Sequence, residues 1–204
     1  DVSFAELLRD LVKINGLERL RISSIETTEL NEDVLDVLRN SKVLVDHLHI
    51  PIQAGSDPVL KGMKRKYDLD FFFNKIAEIR SIRPEISIST DVIVGFPGET
   101  ESAFENSKSF LQSIRPDWAG CFSYSREEDT LAYGFKNRVS KKIAKNRAME
   151  LEIIQQEISQ EKLKKRIRKY YDVLIEEIVN TDGETCFAIG RAWFQAPDVD
   201  GSFV

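Results

Sequence analysis

Two histidines stand two apart in His47-Leu-His49. On a strand that spacing puts both imidazoles on one face, where they could chelate a metal. No third ligand of clear spacing lies nearby, so a pair of hydrogen-bonded interior histidines is the simpler expectation. A second group is Asp91 with the turn Gly95-Phe-Pro-Gly-Glu-Thr100. A carboxylate inside a mostly aliphatic strand is costly unless paired. A glycine-rich passage from strand to helix lets the backbone approach a ligand. No Gly-Lys-Ser/Thr follows, so the turn is not a Walker loop. Cys121 and Cys186 lie far apart and exclude a Cys-x-x-Cys site or a disulfide scaffold. Cys121 sits mid-strand beside Phe122 and reads as packing. No nucleophile–base pair and no carboxylate pair of defined spacing stands out.

The hydrophobic pattern supplies the elements that must position these groups. Ser3-x-x-Glu6 is a capping box, and Phe4, Leu7, Leu8 and Leu11 form one helical stripe stopped at Asn15-Gly16. Leu20–Ile25 reads as a strand. Asn31 caps a helix with Val34, Leu35 and Leu38 inward, and Val45–Ile52 is the second strand. Asp57-Pro58 opens a short helix as N-cap and N1. A helix from about Leu69 to Ile82 precedes the third strand, Ile86–Val94. Ser102-x-x-Glu105 is expected to cap the next helix, before the strand Asp117–Tyr124. Four such repeats imply an α/β fold, a parallel sheet with helices outside.

The strands alternate. Ile86, Ile88, Thr90, Val92 and Val94 share one face, and Ser87, Ser89 and Asp91 the other; Leu48, Ile50 and Ile52 alternate with His47, His49 and Gln53. A polar inner face suits a barrel whose interior holds a ligand, with chemistry at the C-terminal strand ends. Glu26, Gln53, Gly95 and Ser125 fall at or just after those ends. Residues 139–169 read as one long helix. After Tyr170 the pattern turns to strands, Asp172–Val179 and Thr185–Ala192, about Thr181-Asp182-Gly183. The remaining length makes roughly three strands, short of the about five of a closed oligonucleotide-binding-type barrel. Three parts are therefore expected: a partial barrel over 1–138, a connecting helix over 139–170 and a truncated second domain over 171–204.

The chain has 204 residues, 42% hydrophobic and 31% charged, enough to bury a core without a metal or disulfide staple. No apolar stretch is long enough for a membrane span, and no signal peptide opens the sequence. A reducing, cytoplasmic setting is the default expectation. Charge is uneven. Residues 1–138 carry a net −5, residues 139–170 a net +6 and residues 171–204 a net −6. The cations of Lys162–Lys169 suit a helix C-terminus. An acidic tail is a poor phosphate binder and a plausible dock for a basic protein.

His47-Leu-His-Ile-Pro-Ile-Gln-Ala-Gly-Ser-Asp-Pro-Val-Leu-Lys-Gly-Met-Lys-Arg65 resembles the signature of the methylthiotransferases of the radical S-adenosylmethionine superfamily. Ser89–Thr100 resembles their next block, Ser23-Ser-Ile-Glu26 a third, and Gln155-Gln-Glu-Ile-Ser159 a fourth. The resemblance implies the later βα units of a TIM-like partial barrel, then a small OB-like β-barrel called TRAM. Asp117–Glu128 and Ile189–Gly201 are similar to the protein-modifying RimO branch, whereas His47–Pro51 and Arg65-Lys-Tyr67 are similar to the tRNA-modifying branches. The tail, with its acidic charge, favours the first. That branch methylthiolates the β-carbon of an aspartate of ribosomal protein S-12. A tRNA methylthiotransferase and a non-catalytic binding fragment are the alternatives.

By resemblance the cofactors are S-adenosylmethionine and two [4Fe–4S] clusters, with an electron donor as a further partner. A 5′-deoxyadenosyl radical would take hydrogen from the target carbon, and already methylated sulfur would add there. The cluster-binding Cys-x-x-x-Cys-x-x-Cys is absent, as are the cysteines of the family's N-terminal domain, so the ligands are not in this chain. The sequence does not start with Met and is expected to be part of a longer enzyme, inactive by itself. No catalytic residue and no metal ligand is identifiable. Glu26, Gln53, Ser56 and Asp91 are expected to contact S-adenosylmethionine or substrate, from their strand-end or inward placement. The charge distribution argues against direct RNA binding.

Overall fold

The computed structural model describes residues 2–181, 185–197 and 199–204. Helix α1 (Phe4–Leu11) opens on the expected capping box, with both reciprocal Ser3 and Glu6 bonds made. Strand β1 (Leu20–Ile22) follows, then α2 (Glu32–Asn40), capped by Asn31. Next come β2 (Leu44–His49), α3 (Asp57–Gly62), α4 (Leu69–Ile82) and β3 (Ser87–Val94). Helix α5 (Glu101–Ile114) leads to β4 (Trp118–Ser123), and α6 (Lys141–Lys164) to a hairpin of β5 (Leu174–Thr181) and β6 (Thr185–Arg191).

The first four strands form one parallel sheet in the order β1-β2-β3-β4, as the βα repeats require. Leu35, Leu48, Phe72, Ile88, Val92 and Leu111 are fully or almost fully buried in one continuous core between the sheet and its helices. Phe110 of α5 meets the edge of Phe72 from α4, with centroids 5.6 Å apart. The apolar face read from the alternation is the helix-covered face.

Several local expectations shift. Strand β1 stops at Ile22 rather than Ile25, and regular pairing of β2 stops at His49 because Pro51 lacks an N–H for the ladder. Thr100, not Ser102, caps α5: its side chain accepts from the Ala103 N–H at 3.1 Å, while Ser102 is exposed. Ser56 holds the N-cap position of α3, which moves Asp57 and Pro58 to N1 and N2; the Ser56 hydroxyl makes no cap bond. The long helix ends at Lys164, and turns carry the chain to Arg168. After Tyr170 there are two strands and one isolated bridge, Gly190 to Phe203, among the described residues. Of the expected hairpin turn, Asp182 and Gly183 lie outside the described residues, as do the acidic Glu184 and Asp198.

Helix α6 lies against β4 and α5, and its polar residues do the anchoring. Gln155 Nε2 donates to the carbonyls of Pro116 and Asp117, and to Ser159 Oγ at 2.9 Å. Ser159 Oγ donates to the Asp117 carbonyl at 2.6 Å. Lys162 and Arg166 pair with the buried Asp117 carboxylate. The Gln-Gln-Glu-Ile-Ser motif thus fastens the helix to the start of β4.

The segment after β6 turns under the sheet. Arg21 of β1 donates to the carbonyls of Trp193 and Gln195 at 2.8 and 2.9 Å, and Arg19 to that of Asp172 at 2.9 Å. His47 Nε2 and Asp200 Oδ2 are 3.2 Å apart, each with 1% of its side chain exposed. The polar inner face is therefore not open along its whole height. At the N-terminal half of the strands, Arg21 and His47 find partners in the chain's own C-terminal segment. The C-terminal ends of β3 and β4 face a cavity.

Candidate functional site

The open end of the sheet is built by an interruption of β2. Thr90 Oγ1 donates to the Ile50 carbonyl at 2.8 Å and accepts from the Ile52 N–H at 3.1 Å. Tyr67 Oη lies 3.2 Å from the carbonyls of both Pro51 and Ile52. Burial pushes the Tyr67 phenol up to about 12, so it stays a donor. Past this break the chain rejoins β3 for a single residue. Gln53 donates its N–H to Asp91 O at 2.9 Å and accepts from the Ile93 N–H at 2.8 Å. Gln53 is held at φ 73°, in the left-handed region that non-glycine residues rarely enter. Backbone strain of this kind persists where surrounding structure over-determines it, and gathers at functional sites.

Gln53 and Asp91 line a cavity of about 360 Å³ at the strand ends, together with Ile93, Phe122, Tyr124 and Ser125. Asp91 Oδ2 is 3.2 Å from His49 Nε2, and His49 Nδ1 is 3.0 Å from Ser89 Oγ. The His-x-His pair is thus divided: His49 serves the mouth and His47 the floor. Among the described residues no group of three or more His, Cys, Asp or Glu is placed to hold a metal. Opposite Asp91 on β4 stands Gly120. A Cβ there would lie 2.6 Å from Asp91 Oδ1 and 2.5 Å from the Phe122 ring, so a larger residue would displace these side chains from their present places. An adjoining cavity of about 310 Å³ shares Gln53, Ile93 and Tyr124 and adds Met63, Arg65 and Phe96. The Tyr124 hydroxyl is buried between them without a hydrogen-bond partner.

The other two expected residues stand apart. Glu26 pairs with Arg65, which reaches the second cavity, but Glu26 lines neither. Ser56 is 1% exposed with its hydroxyl unpartnered, and it also lines neither cavity; its carbonyl caps α3 by accepting from Val59 and Leu60. The sequence reading passed over Gly120, Phe122 and Tyr124. The only signal for them was their place at the end of the fourth strand.

The glycine turn also fastens the sheet to α6. Gly95, at φ 78°, lies so close to α6 that a Cβ would be 2.3 Å from Ala144 Cβ. Its N–H is taken by Glu99 Oε2. Arg147 of α6 binds that same carboxylate at 2.8 Å and Glu101 at 2.7 Å. Burial pushes Glu99 above the usual carboxylate range, while the Gly95 N–H and Arg147 pull it back. The turn is a clasp between β3 and α6.

The donor set does not fit an iron–sulfur cluster. Cys121 is buried in β4 with its thiol pushed up to about 12, and Cys186 is exposed on the hairpin. A cluster needs several converging thiolates. The mouth does fit a polar, aromatic-bearing small molecule: it offers a carboxylate, an amide, two aromatic side chains and an orphaned hydroxyl.

The sequence profile of the radical SAM superfamily matches residues 2–111. The fold is similar to that of coproporphyrinogen III oxidase (HemN) from Escherichia coli, a radical SAM enzyme, with a TM-score of 0.60 at 23% identity over 76% of this chain and 36% of that one. The chain belongs to the radical SAM superfamily. Its curated relatives include the ribosomal protein uS12 methylthiotransferase RimO of Treponema denticola, 38% identical over 98% of this chain and 44% of the relative. The tRNA-2-methylthio-N(6)-dimethylallyladenosine synthase of Carboxydothermus hydrogenoformans is 38% identical over 88% and 41%. The threonylcarbamoyladenosine tRNA methylthiotransferase MtaB of Bacillus subtilis is 34% identical over 93% and 42%. The chain thus spans less than half the length of these relatives. No helix among the described residues is long and apolar enough to cross a membrane.

Proposed function

We propose that this chain is the later barrel and C-terminal part of a radical SAM methylthiotransferase that modifies an aspartate β-carbon of ribosomal protein uS12. One observation carries the choice of substrate. Matches to the uS12 enzymes run over 96–98% of the chain, those to the tRNA enzymes over 88–94%. The acidic segment 171–204, which we take as the start of a TRAM-type module, supports the same reading through its charge. A tRNA substrate is the second reading, favoured by equal identity to a tRNA enzyme. Mass spectrometry of uS12 and of tRNA nucleosides, with and without the gene, separates the two. Loss of the methylthio group from the protein alone is expected; loss from a tRNA adenosine alone would overturn the assignment.

In this reading S-adenosylmethionine supplies a carbon radical and a methyl group. Asp91 and Gln53 would hold its polar groups, and Phe122 and Tyr124 would cover its flat base and exclude water. His49 orients the Asp91 carboxylate. Gly120 leaves the space that carboxylate needs. Glu26 and Ser56, our other two candidates, act on the site only through Arg65 and the loop before α3. The cluster ligands are supplied from outside these 204 residues, which by themselves are expected to turn nothing over. In the cluster-loaded complete enzyme, Asp91→Asn should weaken S-adenosylmethionine binding by about tenfold or more, the worth of one charge-assisted hydrogen bond. Calorimetry reads this without turnover, and an unchanged dissociation constant would remove Asp91 from the site.

A further inference from the structure

Five side chains run in one line across the polar face of the sheet, from the floor to the mouth. Asp200 Oδ2 stands 3.2 Å from His47 Nε2. His47 Nε2 is 3.5 Å from Ser89 Oγ, and Ser89 Oγ is 3.0 Å from His49 Nδ1. His49 Nε2 is 3.2 Å from Asp91 Oδ2. The strands supply the spacing. His49 lies beside Ser89 in the register of β2 and β3, and the two-residue period puts His47 and Asp91 on the same face. Ser89 thereby touches both imidazoles. Neither Asp200 nor Ser89 lines the cavity at the strand ends, where Asp91 sits.

Few proton arrangements satisfy this line. Asp200 Oδ2 already accepts from the Ala196 N–H at 2.8 Å, so it faces His47 as an acceptor and favours a hydrogen on Nε2. His47 Nδ1 is buried with no partner among the described residues, so nothing rewards a hydrogen there. With Nε2 protonated, His47 cannot accept from Ser89, and the Ser89 hydroxyl hydrogen goes to His49 Nδ1. His49 then carries its own hydrogen on Nε2 and presents it to Asp91. An imidazolium at His49 would leave the Ser89 hydrogen without an acceptor in a site only 7% exposed, at the full cost of desolvation.

We propose that Asp200, His47 and Ser89 are positioning residues for Asp91: together they hold His49 in its Nε2–H tautomer, and His49 holds the Asp91 carboxylate at the mouth. The consequence for the enzyme rests on the proposed function, in which Asp91 binds a polar group of S-adenosylmethionine. The hydrogen bond made by one imidazole nitrogen decides which form the other takes. Asp200 sets His47, His47 directs the Ser89 hydroxyl, and that hydroxyl sets His49. Without the Ser89 donor, His49 is free to exchange tautomers and to turn its ring, and the carboxylate loses its fixed partner. The C-terminal segment thus acts on the mouth through a relay of side chains, without reaching it.

The chain holds two histidines, so a long-range proton–nitrogen correlation spectrum of the isotope-labelled full chain shows two imidazoles. His49→Gln assigns them. At about pH 8, above the ordinary imidazole range, both are expected as Nε2–H tautomers. Ser89→Ala should spread His49 over both tautomers. Asp200→Asn should loosen His47 and shift His49 with it. Ser87→Ala is the control: it removes a buried hydroxyl beside His47 that has no partner among the described residues, and should leave His49 unchanged. Melting checks that each variant is folded. His49 found as imidazolium or as the Nδ1–H tautomer would overturn the proposal. So would an effect of Ser87→Ala on His49 equal to that of Ser89→Ala, or a His49 signal indifferent to Asp200→Asn. In the cluster-loaded complete enzyme, Ser89→Ala should weaken S-adenosylmethionine binding by about threefold, the worth of one neutral hydrogen bond. Unchanged binding in Ser89→Ala where Asp91→Asn binds weakly would overturn the positioning role. Unchanged binding in both would instead overturn the cofactor reading. The spectra need no cluster and no turnover, so the two failures are separately visible.

Discussion

Two thiols in one chain illustrate how environment sets the behaviour of a residue. Cys121 is packed in β4, and desolvation of its thiolate pushes it up to about 12; Cys186 is exposed on the hairpin. Since the thiolate is the nucleophile, Cys121 at neutral pH is almost entirely the inert thiol. Titration of the native protein with a maleimide near pH 7.5 should modify one cysteine within minutes, with peptide mapping placing it at Cys186. Cys121 should react only in denaturant. Rapid native labelling of Cys121 would mean that β4 opens readily.

At the scale of elements, the caps and the clasp decide which local signals matter. Thr100→Ala removes the bond to the Ala103 N–H and should cost about 1 kcal/mol in urea unfolding, whereas Ser102→Ala should change stability by less than about 0.5 kcal/mol. The reverse order would restore the capping box that the sequence suggested. Arg147→Met leaves Glu99 buried with only the Gly95 N–H, and should cost about 3–5 kcal/mol unless Glu99→Gln accompanies it. Tyr67 gives the break in β2 a pH dependence. Its phenol is raised in the fold from 10.0 to about 12, so its contribution is intact below pH 10 and is lost as pH climbs through about 12. Against Tyr67→Phe, the parent should show the steeper loss of urea midpoint between pH 10 and 12; parallel curves would discount the clamp.

On the scale of the whole molecule, the C-terminal segment is a floor under the sheet. Arg166 of the segment after α6 stacks on Phe194, its Cζ 3.9 Å from the ring centroid, while Arg21 and His47 hold the segment from above. Asp200 accepts from the Ala196 N–H at 2.8 Å as well as facing His47. Asp200→Ala should therefore cost about 1–3 kcal/mol through buried groups left unpaired. Limited proteolysis should show it first, as faster cleavage after Tyr170 with the barrel fragment intact. Unchanged cleavage would mean that the floor is held by apolar contact and the arginines alone.

The four βα repeats, the one-sided strands, the two strands of the hairpin and the family blocks are all local patterns, and local patterns are legible in a sequence because period and capping depend on near neighbours; the third strand expected of the tail is only an isolated bridge among the described residues. Gln53 and Asp91 could each be picked out from strand-end or inward placement; that they share one cavity came only from the fold. The course of the polar face was not legible. Whether His47 meets a ligand or Asp200 depends on where a segment 153 residues later returns, and no spacing encodes that. The same holds for Ser56, turned inward where the loop ends at α3, and for the cations of α6. Their number is in the sequence; which of them find carboxylates is decided by packing, because an ion pair needs two side chains brought within a few ångströms by elements that each fold for other reasons.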